Sequence, residues 1–233
     1  MITIVLLPGM DGTGVFFADF VAAVVPRFKP IVVIYPNDPA LGYAELETLA
    51  RTYLPHNEPF LILGESFSGP IAISIAASNP SGLLGLILCA TFVRNPHPLL
   101  PTVTAILKPF PAGRLPGFIQ HRNLFGRFDS PRHRAKLREV GTLVSARTLK
   151  ARLEAVSAVD VSEKLRSVKV PTLDLRARQD RVVSRACGAY IRKILPNVTV
   201  GDLDAPHLLL QTVPDAAIAA IDDFVRNRIK ISN

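Results

Sequence analysis

The sequence contains little cysteine. Cys89 and Cys187 are the two cysteines among 233 residues, and they lie far apart. Such a pair forms neither a disulfide framework nor the Cys-x-x-Cys motif of many zinc sites. The five histidines show no His-Glu-x-x-His spacing. We therefore expect no metal, no other cofactor, and a reducing compartment, the cytoplasm.

Long apolar runs are absent as well. No uninterrupted run reaches the roughly 18 residues of a membrane-spanning helix, so we expect no membrane span. Residues 1–9 are apolar but carry no basic leader and no cleavage site, which is typical of a strand rather than a signal peptide. A hydrophobic content of 48% argues against disorder, and the length suits one domain, or one domain with an insertion.

Acidic residues are scarce in one segment. Residues 108–152 contain eleven Lys and Arg but only two acids, Asp129 and Glu139, whereas the rest of the chain is nearly neutral. Six prolines lie within residues 95–116, which overlap the start of this segment. No nucleic-acid-binding motif accompanies the positive charge, so we expect no nucleic-acid partner.

Short apolar runs alternate with helical patterns elsewhere. Predicted strands cover residues 2–7, 31–35, 60–64, 85–89, 170–177 and 198–203. Wholly apolar strands separated by helices are typical of an α/β fold, here with about six parallel strands and helices on both faces. The alternation of apolar runs and helical patterns stops at Asn95 and resumes after Ser167. We predict an α/β core in residues 1–94 and 168–233, with a basic helical cap, 95–167, inserted after the fourth strand.

The turn at residues 64–69 has the sequence Gly-Glu-Ser-Phe-Ser-Gly, between an apolar strand and a helix of small residues. We interpret it as a Gly-x-Ser-x-Gly nucleophile elbow, in which a strained turn exposes the hydroxyl of Ser66. The N–H of Phe67 would then face the same space as one oxyanion donor. An ordinary strand–helix turn is the alternative.

Two further residues follow strand ends in the order that such a serine requires. Asp180 comes just after the predicted fifth strand and His207 just after the sixth. Carboxyl ends of parallel strands meet at one edge of the sheet, and the order Ser, Asp, His is that of parallel-sheet hydrolases. We predict a catalytic triad of Ser66, Asp180 and His207. The alternatives are a helix cap for Asp180 and a structural role for His207.

The loop after the first strand, residues 8–14, supplies a second oxyanion donor, for which the Met10 N–H is the candidate. Its glycines also suggest a phosphate-binding loop. Their spacing is Gly-x-x-Gly-x-Gly, however, and no P-loop lysine follows, which argues against nucleotide binding.

Together these motifs resemble the α/β-hydrolases, specifically compact bacterial serine esterases similar to the pimeloyl-[acyl-carrier-protein] methyl ester esterases. The resemblance covers the elbow, the acid and histidine segments and the first loop, where Pro8-Gly9 stands in place of the common His-Gly. It implies hydrolysis of a small acyl ester through an acyl-enzyme. A thioesterase, a lysophospholipase and a non-catalytic binding protein of the same fold remain alternatives.

The charge of the cap has two interpretations. It is a solvated basic face, or it docks an acidic carrier protein or an anionic head group that delivers an acyl chain, as the resemblance implies. Apolar cap residues would then line an acyl pocket, with Phe110 and Phe118 as candidates. The arginines suspected of docking are Arg122, Arg127, Arg132, Arg134, Arg138, Arg147 and Arg152.

Overall fold

The computed structural model describes residues 1–56, 58–96 and 117–229, and these residues form one six-stranded sheet. The strand order is β2-β1-β3-β4-β5-β6, and every neighbouring pair is parallel. This confirms the predicted fold of six parallel strands. The strands are β1 (Thr3–Leu7), β2 (Lys29–Val32), β3 (Phe60–Glu65), β4 (Leu83–Cys89), β5 (Thr172–Ala177) and β6 (Thr199–Leu203).

Helices cover both faces of the sheet. Within the described residues they are α1 (Ala18–Val24), α2 (Tyr43–Arg51), α3 (Gly69–Ala77), α4 (Gly117–Leu124), α5 (Pro131–Leu143), α6 (Ala146–Ala158), α7 (Ser162–Arg166), α8 (Arg185–Ile194), α9 (Leu209–Thr212) and α10 (Pro214–Arg228). Helices α1 and α10 pack on one face, and α2, α3, α7 and α8 on the other. None of them is long and apolar enough to cross a membrane.

Two adjacent interior strands, β1 and β3, are buried along their whole length. Each residue of β1 and β3 is shielded, because successive side chains point to opposite faces and each face carries helices. Burying one large aliphatic side chain in this way contributes about 1.5–3 kcal/mol. The strands therefore form a rigid platform for the loops at their carboxyl ends.

The chain reverses its direction of sheet growth next to β1. Strand β2 lies on one side of β1 and β3 on the other, so the loops that follow β1 and β3 diverge above a shared crevice. Ligands of open α/β sheets bind at this position. The loop after β1 is the predicted oxyanion loop, and β3 ends at Glu65, next to Ser66.

A helical insertion lies between β4 and β5, as predicted. The two chain segments at its base are joined by hydrogen bonds from Val161 N to Val93 O (2.9 Å) and from Asn95 N to Val159 O (3.0 Å). The sequence has helical patterns at residues 131–143 and 148–159 of this insertion. Helix α5 coincides with the first, whereas α6 begins two residues before the second. The short helices α4 and α7 were not predicted.

The second strand is shorter than predicted. The β-branched run of residues 31–35 suggested a strand as far as Tyr35, but β2 ends at Val32. Beyond it, the chain turns toward the first loop, where Tyr35 N donates to Gly12 O at 2.8 Å. The backbone of Tyr35 thus serves the loop and not the sheet.

Candidate active site

Ser66 lies at a sharp turn between β3 and α3. The residues 66–68 form a single 3₁₀ turn, and Ser66 has a φ of 50°, in the left-handed region that side chains other than glycine rarely adopt. A Cβ on Gly64 would lie 2.6 Å from the Ser68 carbonyl oxygen, and one on Gly69 would lie 2.0 Å from Thr91 Oγ1. Both glycines are therefore needed for the close approach of strand, turn and helix.

The match to Gly-x-Ser-x-Gly is inexact. Two residues after Ser66 the chain has Ser68, and the second glycine follows one position later. The Ser68 hydroxyl makes hydrogen bonds to the Pro8 carbonyl and to Tyr35 Oη, the latter at 2.8 Å. A carbonyl only accepts, so Ser68 donates to Pro8 and Tyr35 donates to Ser68. The residue that departs from the pattern thus ties the elbow to the loop after β1.

His207 contacts both Ser66 and Asp180. Its Nε2 lies 2.9 Å from Ser66 Oγ, and its Nδ1 lies 2.9 Å from Asp180 Oδ2. The other carboxyl oxygen, Asp180 Oδ1, accepts from the N–H groups of Val182 (2.7 Å) and Val183 (2.8 Å). Because a carboxylate only accepts, Nδ1 carries the proton, which leaves Nε2 free to accept from the Ser66 hydroxyl. The structure thus brings the three predicted residues into one chain of hydrogen bonds.

The predicted oxyanion donors are the N–H groups of Met10, in the loop after β1, and of Phe67, which directly follows Ser66. Residues 9–12 form a tight turn closed by a hydrogen bond from Gly12 N to Gly9 O (3.0 Å). The Met10 N–H donates to no atom of the described residues. Phe67 lies in the first turn of the helical segment, where an N–H has no acceptor within the helix. Within the described residues, neither N–H group donates a hydrogen bond.

Glu65 is a second acid at the site that sequence reasoning did not single out. It is buried directly before Ser66, and Gln211 Nε2 donates to its Oε1 at 2.9 Å. Burial raises the pKa of Glu65 to about 7, against the opposing effects of the Gln211 hydrogen bond and of His207. The signal in the sequence was an acid at the end of an otherwise apolar strand.

Arg152 does not lie where a docking residue must. It was predicted to bind a partner from the cap surface, but only 1% of it is exposed. It shares the inward face of α6 with Thr148 and Val156, four residues before and after it. Its Nη1 donates to Met10 O and Asp11 O, both at 2.8 Å, and its Nη2 donates to Pro36 O at 2.7 Å. The spacing of Thr148, Arg152 and Val156 could have revealed this face.

The other suspected cap arginines are exposed, and several pair with acids of the same chain. Arg127 binds Asp204, Arg132 binds Asp19, and Arg134 lies 2.8 Å from Asp129. Arg122, Arg138 and Arg147 are exposed and have no ion pair within the described residues. Phe110 and the side chain of Phe118 lie outside the described residues, so the predicted acyl pocket stays a prediction.

The described residues offer no metal site. Within residues 1–56, 58–96 and 117–229, no three His, Cys, Asp or Glu side chains lie close enough together to hold an ion.

Comparison with known proteins identifies relatives of the whole chain. The family model Hydrolase_4, serine aminopeptidase, S33, matches residues 44–200, a range that contains Ser66 and Asp180 but ends before His207. A putative carbamate hydrolase, RutD, from Caulobacter sp. (strain K31) is 22% identical over 245 residues, covering 96% of this chain and 90% of that protein.

Solved structures share the fold at low identity. A hydrolase from Oleispira antarctica superimposes with a TM-score of 0.82 at 15% identity, over 98% of this chain and 92% of that one. The enol-lactonase from Burkholderia xenovorans LB400 gives a TM-score of 0.76 at 19% identity, over 97% and 92%. At such identities the likeness shows the architecture alone.

Proposed function

The chain belongs to the Hydrolase_4 family, serine aminopeptidase, S33, within the α/β-hydrolase superfamily, and on this premise we propose that it is a serine hydrolase that cleaves carboxylic esters. The observation that carries the proposal is the hydrogen-bonded chain from Ser66 through His207 to Asp180. It supplies a nucleophile, a base and a group that orients the base, which are the parts that acyl transfer requires.

In the first half of the proposed reaction, Ser66 Oγ attacks the carbonyl carbon of the ester. His207 Nε2, at 2.9 Å from Oγ, takes the hydroxyl proton as the new C–O bond forms. Asp180 stabilises the resulting imidazolium through the Nδ1–H hydrogen bond. His207 then gives the proton to the departing alkoxide, the bond to the alcohol breaks, and an acyl-enzyme on Ser66 remains.

In the second half of the reaction, a water molecule attacks the acyl-enzyme by the same steps. His207 takes a proton from the water, the hydroxide adds to the acyl carbon, and Ser66 leaves with the proton that His207 returns. The carboxylic acid is released, and the serine is restored. Both halves develop negative charge on the former carbonyl oxygen.

That charge needs donors that are fixed before the reaction starts. The free N–H groups of Met10 and Phe67 are our candidates, since each belongs to a loop that borders Ser66. The bond from Ser68 to Pro8 fastens these two loops together. Donors held in place in this way lower the barrier without reorganising during the reaction.

An ester is favoured as substrate because its alkoxide leaves more readily than an amine. The enol-lactonase that shares this fold acts, by its name, on a cyclic ester. The relative named as a putative carbamate hydrolase makes a carbamate the second candidate. Carbamate cleavage with an amine leaving group would depend more strongly on protonation by His207.

For the acyl group we propose a substrate attached to an acidic carrier protein, which docks on the basic cap. The support is the exposure of Arg122 and Arg138 without an acid partner among the described residues. The three arginines that pair with Asp19, Asp129 and Asp204 fit the other interpretation, a solvated basic face. Binding of a carrier would therefore depend on a few arginines rather than on the whole segment.

The experiment is hydrolysis of p-nitrophenyl esters from acetate to decanoate. Wild type, Ser66→Ala and Ser78→Ala are compared, the last being a matched change at the end of α3. We expect activity in wild type and Ser78→Ala and its loss in Ser66→Ala. Equal activity in Ser66→Ala would refute the mechanism. If the protein cleaves thioesters or carbamates in preference to esters, the proposed substrate class is wrong, but the proposed catalytic triad still holds.

A further inference from the structure

The guanidinium of Arg152 is buried among backbone carbonyls. Its three hydrogen bonds go to Met10 O, Asp11 O and Pro36 O, and within the described residues no carboxylate lies within ion-pair distance of it. Burial lowers the pKa of Arg152, while the nearby Asp11 and Tyr35 act in the opposite direction. Burying a charge is costly unless hydrogen bonds satisfy it. Such a placement therefore indicates a specific task rather than simple packing.

Two of the three carbonyls belong to the turn that carries a proposed oxyanion donor. The turn is closed by Gly12 N to Gly9 O, so Met10 and Asp11 are its central residues. Turns of this kind occur in two main forms, types I and II, that differ by a flip of the peptide between the central residues. The bond from Arg152 Nη1 to Met10 O fixes the orientation of that peptide.

The peptide between Pro8 and Gly9, two before the one that Arg152 holds, is also fixed. Ser68 of the elbow donates to Pro8 O, which belongs to the peptide between Pro8 and Gly9. The peptide that carries the Met10 N–H therefore lies between two peptides whose carbonyls are both held. One of these anchors comes from the turn that bears Ser66, and the other comes from the cap helix α6.

Arg152 also joins the loop after β1 to the segment after β2. Its Nη2 donates to Pro36 O, and the neighbouring Tyr35 N donates to Gly12 O at 2.8 Å. The Tyr35 ring lies below the guanidinium, with 5.8 Å between the ring centre and Arg152 Cζ. One side chain of the cap thereby fixes two loops of the core.

We propose that Arg152 is a positioning residue for catalysis, which holds the turn at residues 9–12 so that the Met10 N–H points at the developing oxyanion. This inference rests on the proposed hydrolase function. It assigns helix α6 of the insertion a role in the active site, because a displaced α6 would release the turn. Arg152 does not touch the substrate in this account.

The test compares Arg152→Met and Arg152→Lys with Lys150→Met, a matched loss of an exposed cation on the same helix. For a p-nitrophenyl ester, we expect Arg152→Met to lower kcat about 10- to 100-fold with KM little changed, somewhat less than the loss of a whole oxyanion donor. The kcat of Arg152→Lys should lie between those of wild type and Arg152→Met, because an ammonium group lacks the planar fork that binds two carbonyls at once. Lys150→Met should match wild type.

Amide hydrogen exchange of peptides that span residues 8–14 gives a second readout, which does not require activity. We expect faster exchange in Arg152→Met than in Lys150→Met. Unchanged exchange, or a kcat within about twofold of wild type in both folded Arg152 variants, would overturn the proposal. If circular dichroism shows that Arg152→Met does not fold, the kcat and the exchange rates of Arg152→Lys test the proposal instead. If wild type cleaves no ester, the proposed function fails, while exchange still decides whether Arg152 anchors the turn.

Discussion

His207 and Asp180 are joined by a hydrogen bond of 2.9 Å between Nδ1 and Oδ2, although 27 residues separate them in the chain. The carboxylate is held in turn by the N–H groups of Val182 and Val183. A fixed acceptor on one side of the ring sets the proton on Nδ1 and leaves Nε2 for Ser66. The pair therefore determines whether His207 can act as a base.

Replacing Asp180 by Asn should abolish most of the activity while preserving the fold. The amide oxygen can still accept from Val182 and Val183, but the NH₂ group would then face His207 and favour the proton on Nε2. We expect kcat to fall about 10²–10⁴-fold, as for the wrong tautomer in other serine hydrolases. Steady-state hydrolysis of p-nitrophenyl acetate measures it, with the exposed Asp202→Asn as control. A kcat close to that of the control would contradict the assigned role.

The elbow should not tolerate a methyl group at Gly64. An added Cβ would meet the Ser68 carbonyl oxygen at 2.6 Å and Ala72 Cβ at 2.7 Å, and neither atom can rotate away. We expect Gly64→Ala to lower the free energy of unfolding by more than about 2 kcal/mol. Gly141→Ala on α5 is the control, since nothing lies within 4 Å of its Cβ. It should stabilise by roughly 0.5–1 kcal/mol. Urea denaturation compares the two, and a neutral Gly64→Ala would contradict the geometry.

Glu65 should make stability depend on pH. Its pKa is raised from 4.5 to about 7, chiefly by burial, so the folded state holds the proton more tightly than the unfolded state. Its contribution is fully present below pH 4.5 and is lost as pH rises to about 7. The loss is at most roughly 3 kcal/mol.

Glu65→Gln keeps a neutral group that can still accept from Gln211. The difference in unfolding free energy between this variant and wild type should therefore grow between pH 4.5 and about 7 and stay constant above it. Urea titrations across this range measure that difference. Asp174 has a raised pKa of about 7 as well, but it remains in both proteins and cancels. A pH-independent difference would show that Glu65 is ionised throughout.

The docking proposal predicts a salt-dependent loss in one double variant. The double variant Arg122→Glu, Arg138→Glu should lower kcat/KM for a methyl ester carried on an acidic carrier protein by about tenfold or more at low salt. The difference in kcat/KM between wild type and this variant should decrease as salt screens the charges. Cleavage of p-nitrophenyl acetate should not change. Lys193→Glu with Arg226→Glu makes the same change of charge outside the cap. Equal effects of both pairs on the carrier substrate would indicate net charge alone and exclude docking at the cap.

Much of the core could be predicted because its signals are local. Most strands are short apolar runs, and Ser66, Asp180 and His207 each lie within four residues after a predicted strand. Parallel strands bring their carboxyl ends together, so three positions in the sequence were enough to place the three side chains at one edge. Helix α5 was predicted over residues 131–143 although it has few apolar positions, and in the structure Ser130 caps its start.

The remaining features depend on contacts between distant segments. The bond from Ser68 to Pro8 spans 60 residues, and that from Arg152 to Met10 spans 142. Arginine within a basic segment normally indicates an exposed surface. The spacing of Thr148, Arg152 and Val156 indicates the buried face of α6, but the carbonyl partners of Arg152 lie on distant loops. Glu65 was overlooked because its partner, Gln211, lies 146 residues away.

The most direct test of the central claim is covalent trapping of the nucleophile. The protein is treated with a fluorophosphonate, which mimics the tetrahedral intermediate, and the modified residue is identified by intact-mass and peptide mass spectrometry. We predict one adduct per chain, on Ser66, absent from Ser66→Ala and formed far more slowly in His207→Ala. An unmodified wild type, or an adduct that persists in Ser66→Ala, would contradict the assignment of Ser66 as the nucleophile.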